Sequence, residues 1–488
     1  MGGVIAYGSY VPYNRLDRKR IGEALGSGGG KGTRAVASYD EDSTSMGVEA
    51  ARRAVAGLDD RNAVAQLFFA TATPPYADKT NATAIHAALN LPAETLAVDM
   101  AGAVRSGIGA LLVAAQCSAP TLAVLSDIRT GLPGSADERD GGDAAAAFVF
   151  GDGTAQPVLA EVLATAAVTG EFLERWRVPG AASSRVWEDR FGEEAYAPLV
   201  EAAFADIFKQ ASLTPDQIDH LIVSGLHARA VKSAAKAAGT RPDALVDDLL
   251  ASVGNPGTAQ VGVLLADVLD RAEPGQHVLA AVLADGVTAV LLRTTEALAA
   301  HRPVPSTRSQ LQAGNPALSY QTFLSWRGFL DREPPRRPDP EAPAAPPSLR
   351  RETWKFGFVA SQCAQCGTRS LPPSRVCQHC HATDQMVPAP LADAHATVAT
   401  YTIDHLAFTP NPPVLVVVID FDGGGRLRCQ LTDASPAETV IGLRVEMTFR
   451  RLISAGGVHN YFWKAKPVRD AEGTAVVAPT TAAAPVTE

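Results

Sequence analysis

Four of the six cysteines fall in one short stretch, as Cys363-Ala364-Gln365-Cys366 and Cys377-Gln378-His379-Cys380. Each Cys-x-x-Cys turn presents two thiolates from one tight loop, and two such turns complete a tetrahedron around Zn²⁺. Gly367, directly after the first turn, supplies the open backbone such turns favour. Four thiolates close the coordination sphere and leave no position for a substrate. The spacing therefore predicts a structural zinc on Cys363, Cys366, Cys377 and Cys380. A redox dithiol is the alternative, but two turns at this spacing fit a zinc ribbon better. His379 and His381 are spare donors that four thiols make unnecessary. Cys117 and Cys429 stand alone and read as packing residues.

The chain of 488 residues carries 43 Lys/Arg against 52 Asp/Glu, a net charge of -9, with 46% hydrophobic and 19% charged residues. That is the composition of a globular chain with a sizeable core, and it excludes a disordered one. The acidic balance argues against a generic nucleic-acid binder. The region around the cysteines, 351–469, is only mildly basic, with 12 Lys/Arg to 9 Asp/Glu, and they are scattered. No nucleic-acid partner is expected. No apolar run is long enough for a membrane span, and the first residues lack the basic-then-apolar order of a signal peptide. With clustered thiols, these features predict a cytoplasmic protein in a reducing compartment, away from the membrane.

The elements that must position the chemistry fall into two styles. Residues 1–297 alternate apolar runs with amphipathic stretches. Strands are expected at 64–70, 121–125, 145–150, 220–224 and 278–283, and helices at 45–56, 106–115, 197–210, 229–238 and 258–269. This alternation predicts a layered α/β domain with a buried sheet. A helix followed by Leu67-Phe68-Phe69-Ala70 echoes a helix followed by Leu221-Ile222-Val223-Ser224, at an offset of about 150 residues that a second pair of turns shares. Two related halves are expected, about 1–160 and 161–297. Residues 298–350 read as a short helix plus a Pro-rich linker. A zinc ribbon is expected at 351–385, a small all-β barrel at 386–470, and a disordered tail at 471–488.

Residues 351–469 resemble the DUF35 family, a rubredoxin-like zinc ribbon joined to an OB-fold. The match runs through both Cys-x-x-Cys turns, Leu371-Pro372-Pro373, Thr397–Thr402, Pro413-Val414-Leu415, Asp422–Leu427 and Ile441–Val445. Members of that family accompany thiolase-superfamily enzymes acting on acyl-CoA. Residues 1–297 resemble the thiolase superfamily, nearest to hydroxymethylglutaryl-CoA synthase and ketoacyl synthase III. Asp99–Gly107 is similar to the nucleophile turn, His227–Lys236 to the catalytic-His segment, and Gly254–Ala259 to the conserved-Asn turn.

The departures are chemical. The resemblance puts the nucleophilic Cys at the turn before 106–115, where a helix N-terminus would make it a thiolate. Val104 stands there and cannot be acylated. Ser106 lies near but has no evident base, and the general-base Glu of hydroxymethylglutaryl-CoA synthases maps to Pro74. The last hairpin's glycine-rich turn has become Ala284-Asp285-Gly286. His227 and Asn255 remain as candidate catalytic residues, able together to polarise a thioester carbonyl. The resemblance thus implies a Cys-less subunit acting on a coenzyme A thioester beside a separate thiolase-family partner, as a homodimer or heterotetramer. An alternative is a self-sufficient retro-aldol lyase with His227 as base, or with Tyr76 or Asp285 in that role. An active synthase with another nucleophile and a non-enzymatic acyl-CoA-binding scaffold complete the alternatives.

Overall fold

Nine strands form the main sheet in the order His220–Gly225, His277–Leu283, Gly286–Thr294, Ala160–Thr169, Gly3–Tyr10, Asp143–Gly151, Thr121–Ile128, Gln66–Thr71 and Leu96–Ala101. These elements belong to a computed structural model that describes residues 2–154, 156–334, 336, 340–470 and 472–478. The sheet shows its duplication. In the first half Gln66–Thr71 runs parallel to Thr121–Ile128, which pairs antiparallel with Asp143–Gly151, which pairs antiparallel with Gly3–Tyr10. The second half repeats that series with His220–Gly225, His277–Leu283, Gly286–Thr294 and Ala160–Thr169. The halves meet at one pair, Val4 with Ala160.

Strands buried on both faces send alternate side chains into different cores. Val278, Ala280 and Val282 enter the larger cluster, with the helices Arg105–Gln116 and Gln260–Leu269. Leu279, Ala281 and Leu283 enter a second cluster with Tyr196, Phe204 and Ile207 of the helix Asp189–Ala211. The two central helices touch each other and strands of both halves, while Ser43–Val55 covers one half and Asp189–Ala211 the other. The layers are helix, one half of the sheet, helix pair, the other half of the sheet, helix, which is the thiolase-like arrangement the sequence predicted.

Backbone contacts divide the chain into Met1–Asp331 and Arg332–Glu488. The first unit therefore extends beyond the expected boundary at 297. Thr307–Gln312 docks through Gln310, whose Oε1 accepts the N–H of Val11 at 3.0 Å. The helix Tyr320–Trp326 buries Phe323 under the guanidinium groups of Arg34 and Arg327. Both arginines pair with the buried Asp143. Specific polar bonds and one aromatic anchor thus pull a segment expected as linker into the fold. In the remaining linker, residues 335 and 337–339 lie outside the described residues, and Ala345–Arg350 is helical. Pro346 and Pro347 sit in the first turn of that helix, where an N–H has no intrahelical partner to lose.

In the second unit, Val359–Cys363, Arg369–Ser370 and Met386–Pro390 form a three-stranded sheet. Ala396–Asp404, Val414–Phe421, Arg426–Leu431, Val458–Pro467 and Arg444–Ala455 close a barrel in that order. This is the ribbon followed by a small OB-fold barrel. The tail differs from expectation over its described part. Ala475 bridges to Arg469 and Val477 to Leu443, so 472–478 folds back onto the barrel, and 471 and 479–488 lie outside the described residues.

Candidate functional site

The strand His220–Gly225 ends where its backbone must pass close to a neighbour. A Cβ on Gly225 would lie 2.8 Å from the Leu283 carbonyl oxygen. Two residues later His227 caps the helix Ala228–Ala237, its Nδ1 accepting the N–H of Ala230 at 3.0 Å. A neutral imidazole that accepts at Nδ1 carries its proton on Nε2. His227 is 6% exposed. Asn255 reaches the same strand end and donates from Nδ2 to Gly225 O at 2.8 Å. Its Oδ1 accepts the N–H of Gly257 at 2.9 Å. Asn255 is therefore a brace as well as a polar group, and among the described residues one of its two Nδ2 hydrogens is left for a ligand.

A cavity of about 1180 Å³ opens against these residues. His227 and Asn255 both line it, with Trp187 and Leu132 among the apolar walls. Its charged lining is eight Arg/Lys against four Asp/Glu, the reverse of the whole chain's balance. Arg229, Lys232 and Lys236 recur along one face of Ala228–Ala237, at the spacing that stacks helical side chains. Such a wall attracts a polyanion.

No cysteine lines this cavity. Val104 is the residue before the helix Arg105–Gln116, half-buried against the larger core cluster and outside the cavity wall. Ser106 follows it, half-buried, and does not line the cavity either. Cys117 lies at the far end of that helix, its thiol 3.3 Å from Gln66 Oε1. Asp285, with a left-handed φ of 47°, gives its carbonyl to Arg105 Nη1. Neither Asp285 nor Tyr76 lines the cavity. The loop holding Pro74 is tied down by buried Asp127. Its carboxylate accepts from Thr71 and Thr73 of that loop and from the Thr258 N–H in the opposite half.

One residue was not visible in the sequence. Glu174 lines the cavity, is 7% exposed, and its Oε1 accepts no hydrogen bond among the described residues. Burial pushes its carboxyl above the usual range, while Arg175 and His227 pull back toward ionisation. Glu174 sits between Leu173 and Arg175 without any pattern to mark it. Only the short hairpin Arg175–Trp176 with Arg185–Val186 and the chain reversal into Asp189–Ala211 bring it inside.

The second candidate site is in the other unit. The Sγ atoms of Cys363, Cys366, Cys377 and Cys380 all lie within 4.8 Å of one another. Cys363 to Cys380 is 3.6 Å and Cys366 to Cys377 is 3.5 Å. A tetrahedron with Zn–S bonds of about 2.3 Å has edges of about 3.8 Å, so the donor set fits. The Thr368 hydroxyl pulls the Cys366 thiol down toward thiolate, and the N–H groups of Cys380 and His379 do the same for Cys377.

Three family models match the chain. One, for the 3-oxoacyl-[acyl-carrier-protein (ACP)] synthase III C terminal, covers residues 208–294. The ChsH2 rubredoxin-like zinc ribbon domain covers 357–386, and the ChsH2 C-terminal OB-fold domain covers 390–450. A hydroxymethylglutaryl-CoA synthase of Aeropyrum pernix is 30% identical over 346 residues, 67% of this chain and 94% of the relative. Among solved structures, MvaS in complex with 3-hydroxy-3-methylglutaryl coenzyme A is similar with a TM-score of 0.56. It is 18% identical and covers 80% of this chain and 99% of that one. An HMG-CoA synthase complexed with CoA is similar with a TM-score of 0.54 at 16% identity, over 66% of this chain and 89% of that one. At these identities the two structures show the fold.

Proposed function

From the premise that the chain belongs to the hydroxymethylglutaryl-CoA synthase family, we propose that it makes or breaks C–C bonds of acyl-CoA thioesters without an acylating cysteine of its own. The covalent step belongs to a separate thiolase subunit in the same complex. The carrying observation is the cavity, lined by His227 and Asn255 but by no thiol. Ping-pong acyl transfer needs a nucleophile that stores the acyl group. A chain without one must receive that group from elsewhere or run a step that needs none. The cationic wall suits the phosphates of coenzyme A, and His227 Nε2–H with the remaining Asn255 N–H suits a thioester oxygen. Cys363, Cys366, Cys377 and Cys380 hold a structural zinc, and the assembly is a homodimer or a heterotetramer in the cytoplasm.

The test uses radiolabelled acetyl-CoA with the purified chain, with a Cys-bearing thiolase of the same organism, and with both. Label is expected on the thiolase only, and product only from the mixture. Covalent label on the chain alone would sink the proposal. One observation, the buried carboxylate of Glu174, favours a self-sufficient aldolase. Release of a ketone or aldehyde from β-hydroxyacyl-CoA by the chain unaided would replace the partner reading with that one.

A further inference from the structure

We propose that Glu174 is the proton-transfer residue of this cavity. The inference rests on the reading of the cavity as an acyl-CoA site, and it holds with or without a partner subunit. Glu174 and His227 converge on one point. A Cβ placed on Gly192 would lie 2.8 Å from His227 Nε2 and 2.9 Å from Glu174 Cγ. Only glycine at 192 leaves room for both side chains. Glu174 is held from the backbone, its N–H on Phe172 O at 3.2 Å and its carbonyl taking the Trp187 N–H at 2.8 Å. Its side chain is left without such ties: Oε1 is sealed from water and accepts nothing among the described residues. The adjacent Arg175 favours its ionised form but gives it no hydrogen bond among the described residues, Arg175 Nη1 being held by Asp137 Oδ2 at 2.7 Å.

Burying a carboxylate without hydrogen bonds is costly, and folds remove such groups unless a ligand or a proton completes them. A buried carboxyl whose Oε1 has no partner among the described residues, beside a donor for a carbonyl oxygen, is the equipment for enolate chemistry. In that step Glu174 takes a proton from the α-carbon of the acyl-CoA. The C–H electron pair becomes the enolate, and its oxygen rests on His227 Nε2–H. The same carboxylic acid returns the proton, or the enolate attacks an electrophilic carbonyl. The position is independent of Pro74, where the resemblance would have put a base. Yet the two segments are neighbours, because Arg177 on the Glu174 hairpin donates to the Ala72 carbonyl.

The test is exchange of α-protons. Full-length chain is incubated with acetyl-, propionyl- or butyryl-CoA in D2O, deuterium uptake is followed by mass spectrometry, and thioester affinity is measured by calorimetry. Wild type should bind and exchange. Glu174→Gln should lose about 100-fold or more in exchange, with its dissociation constant within threefold and its melting temperature no lower. Glu174→Asp should recover part of the rate. Exchange by Glu174→Gln at the wild-type rate overturns the proposal and leaves the acyl-CoA site standing. Parallel loss of binding and exchange also overturns it, making Glu174 a binding group. Binding by wild type without exchange overturns it as well. Failure of wild type to bind any of the three thioesters removes the site reading itself, and this inference with it.

Discussion

Glu174 is a single residue whose placement sets activity against stability. Its carboxyl is raised by burial, so the folded state binds the proton more tightly than the unfolded chain does. The group costs nothing where it is protonated in both states, and its cost grows as pH rises through its folded value. Glu174→Gln copies the neutral form. It should therefore melt above wild type at pH 8, and the gap should close as pH falls toward 4, as read by calorimetry across that range. A gap that is constant with pH would mean the carboxyl is not strained by its ionisation. His227→Ala should act differently, removing the Nε2–H donor and the helix cap together. It should lower α-proton exchange at least tenfold and cost about 1 kcal/mol of stability, measurable by urea titration. The residues that could be found in the sequence were those whose type and spacing are constrained. The four clustered cysteines repeat one spacing, His227 sits where the strand His220–Gly225 gives way to a helix, and Asn255 sits in the turn just before the short helix Gly257–Ala259. Glu174 had no such mark, because a long-range hairpin and a missing side chain at Gly192 create its environment.

Elements show the same division. The helices expected at 45–56, 106–115 and 229–238 appear as Ser43–Val55, Arg105–Gln116 and Ala228–Ala237, because their apolar period is plain. The strand Ala160–Thr169 was not anticipated. Its sequence, AEVLATAAVT, is rich in alanine, the best helix former. Pairing along its whole length with Gly286–Thr294 overrides that preference. The helix Tyr320–Trp326 was expected, but its place in the first unit was not, since nothing local shows that Phe323 will meet Arg34 and Arg327. Asp143 is the other half of that clamp. Asp143→Asn leaves two buried guanidiniums without their counter-charge. It should cost on the order of 3 kcal/mol, read as a lower denaturant midpoint and as early proteolysis near Asp331. The helix Ala228–Ala237 carries a separable function. Lys232→Glu with Lys236→Glu should weaken coenzyme A binding roughly tenfold in low salt, and the difference should shrink at high salt as the charges are screened. Equal loss at both ionic strengths would show that these lysines are not phosphate contacts.

Across the whole molecule, the zinc ribbon rests on a different kind of stabilisation from the first unit and from the barrel, which buries an apolar core of its own in Val417, Ile419, Met447 and Phe449. Met1–Asp331 has extensive aliphatic cores, whereas the ribbon is a few short strands around four thiols. One zinc per chain is expected by elemental analysis. Its removal with a strong chelator should unfold the ribbon and leave the first unit's melting transition in place, with cleavage appearing only beyond Arg332. Loss of both transitions together would show that the units do not unfold independently. The sheet has a consequence for synthesis. The opening strand, Gly3–Tyr10, pairs with Asp143–Gly151. At about 5–20 residues per second, a ribosome needs on the order of ten seconds to deliver that partner. For that interval an apolar strand, GVIAYGSY, waits with both hydrogen-bonding edges open. Newborn chains crowded on one message are thus at their stickiest before the first half of the sheet can close. A chaperone that holds Gly3–Tyr10 on the growing chain should raise the soluble yield more than one added after release.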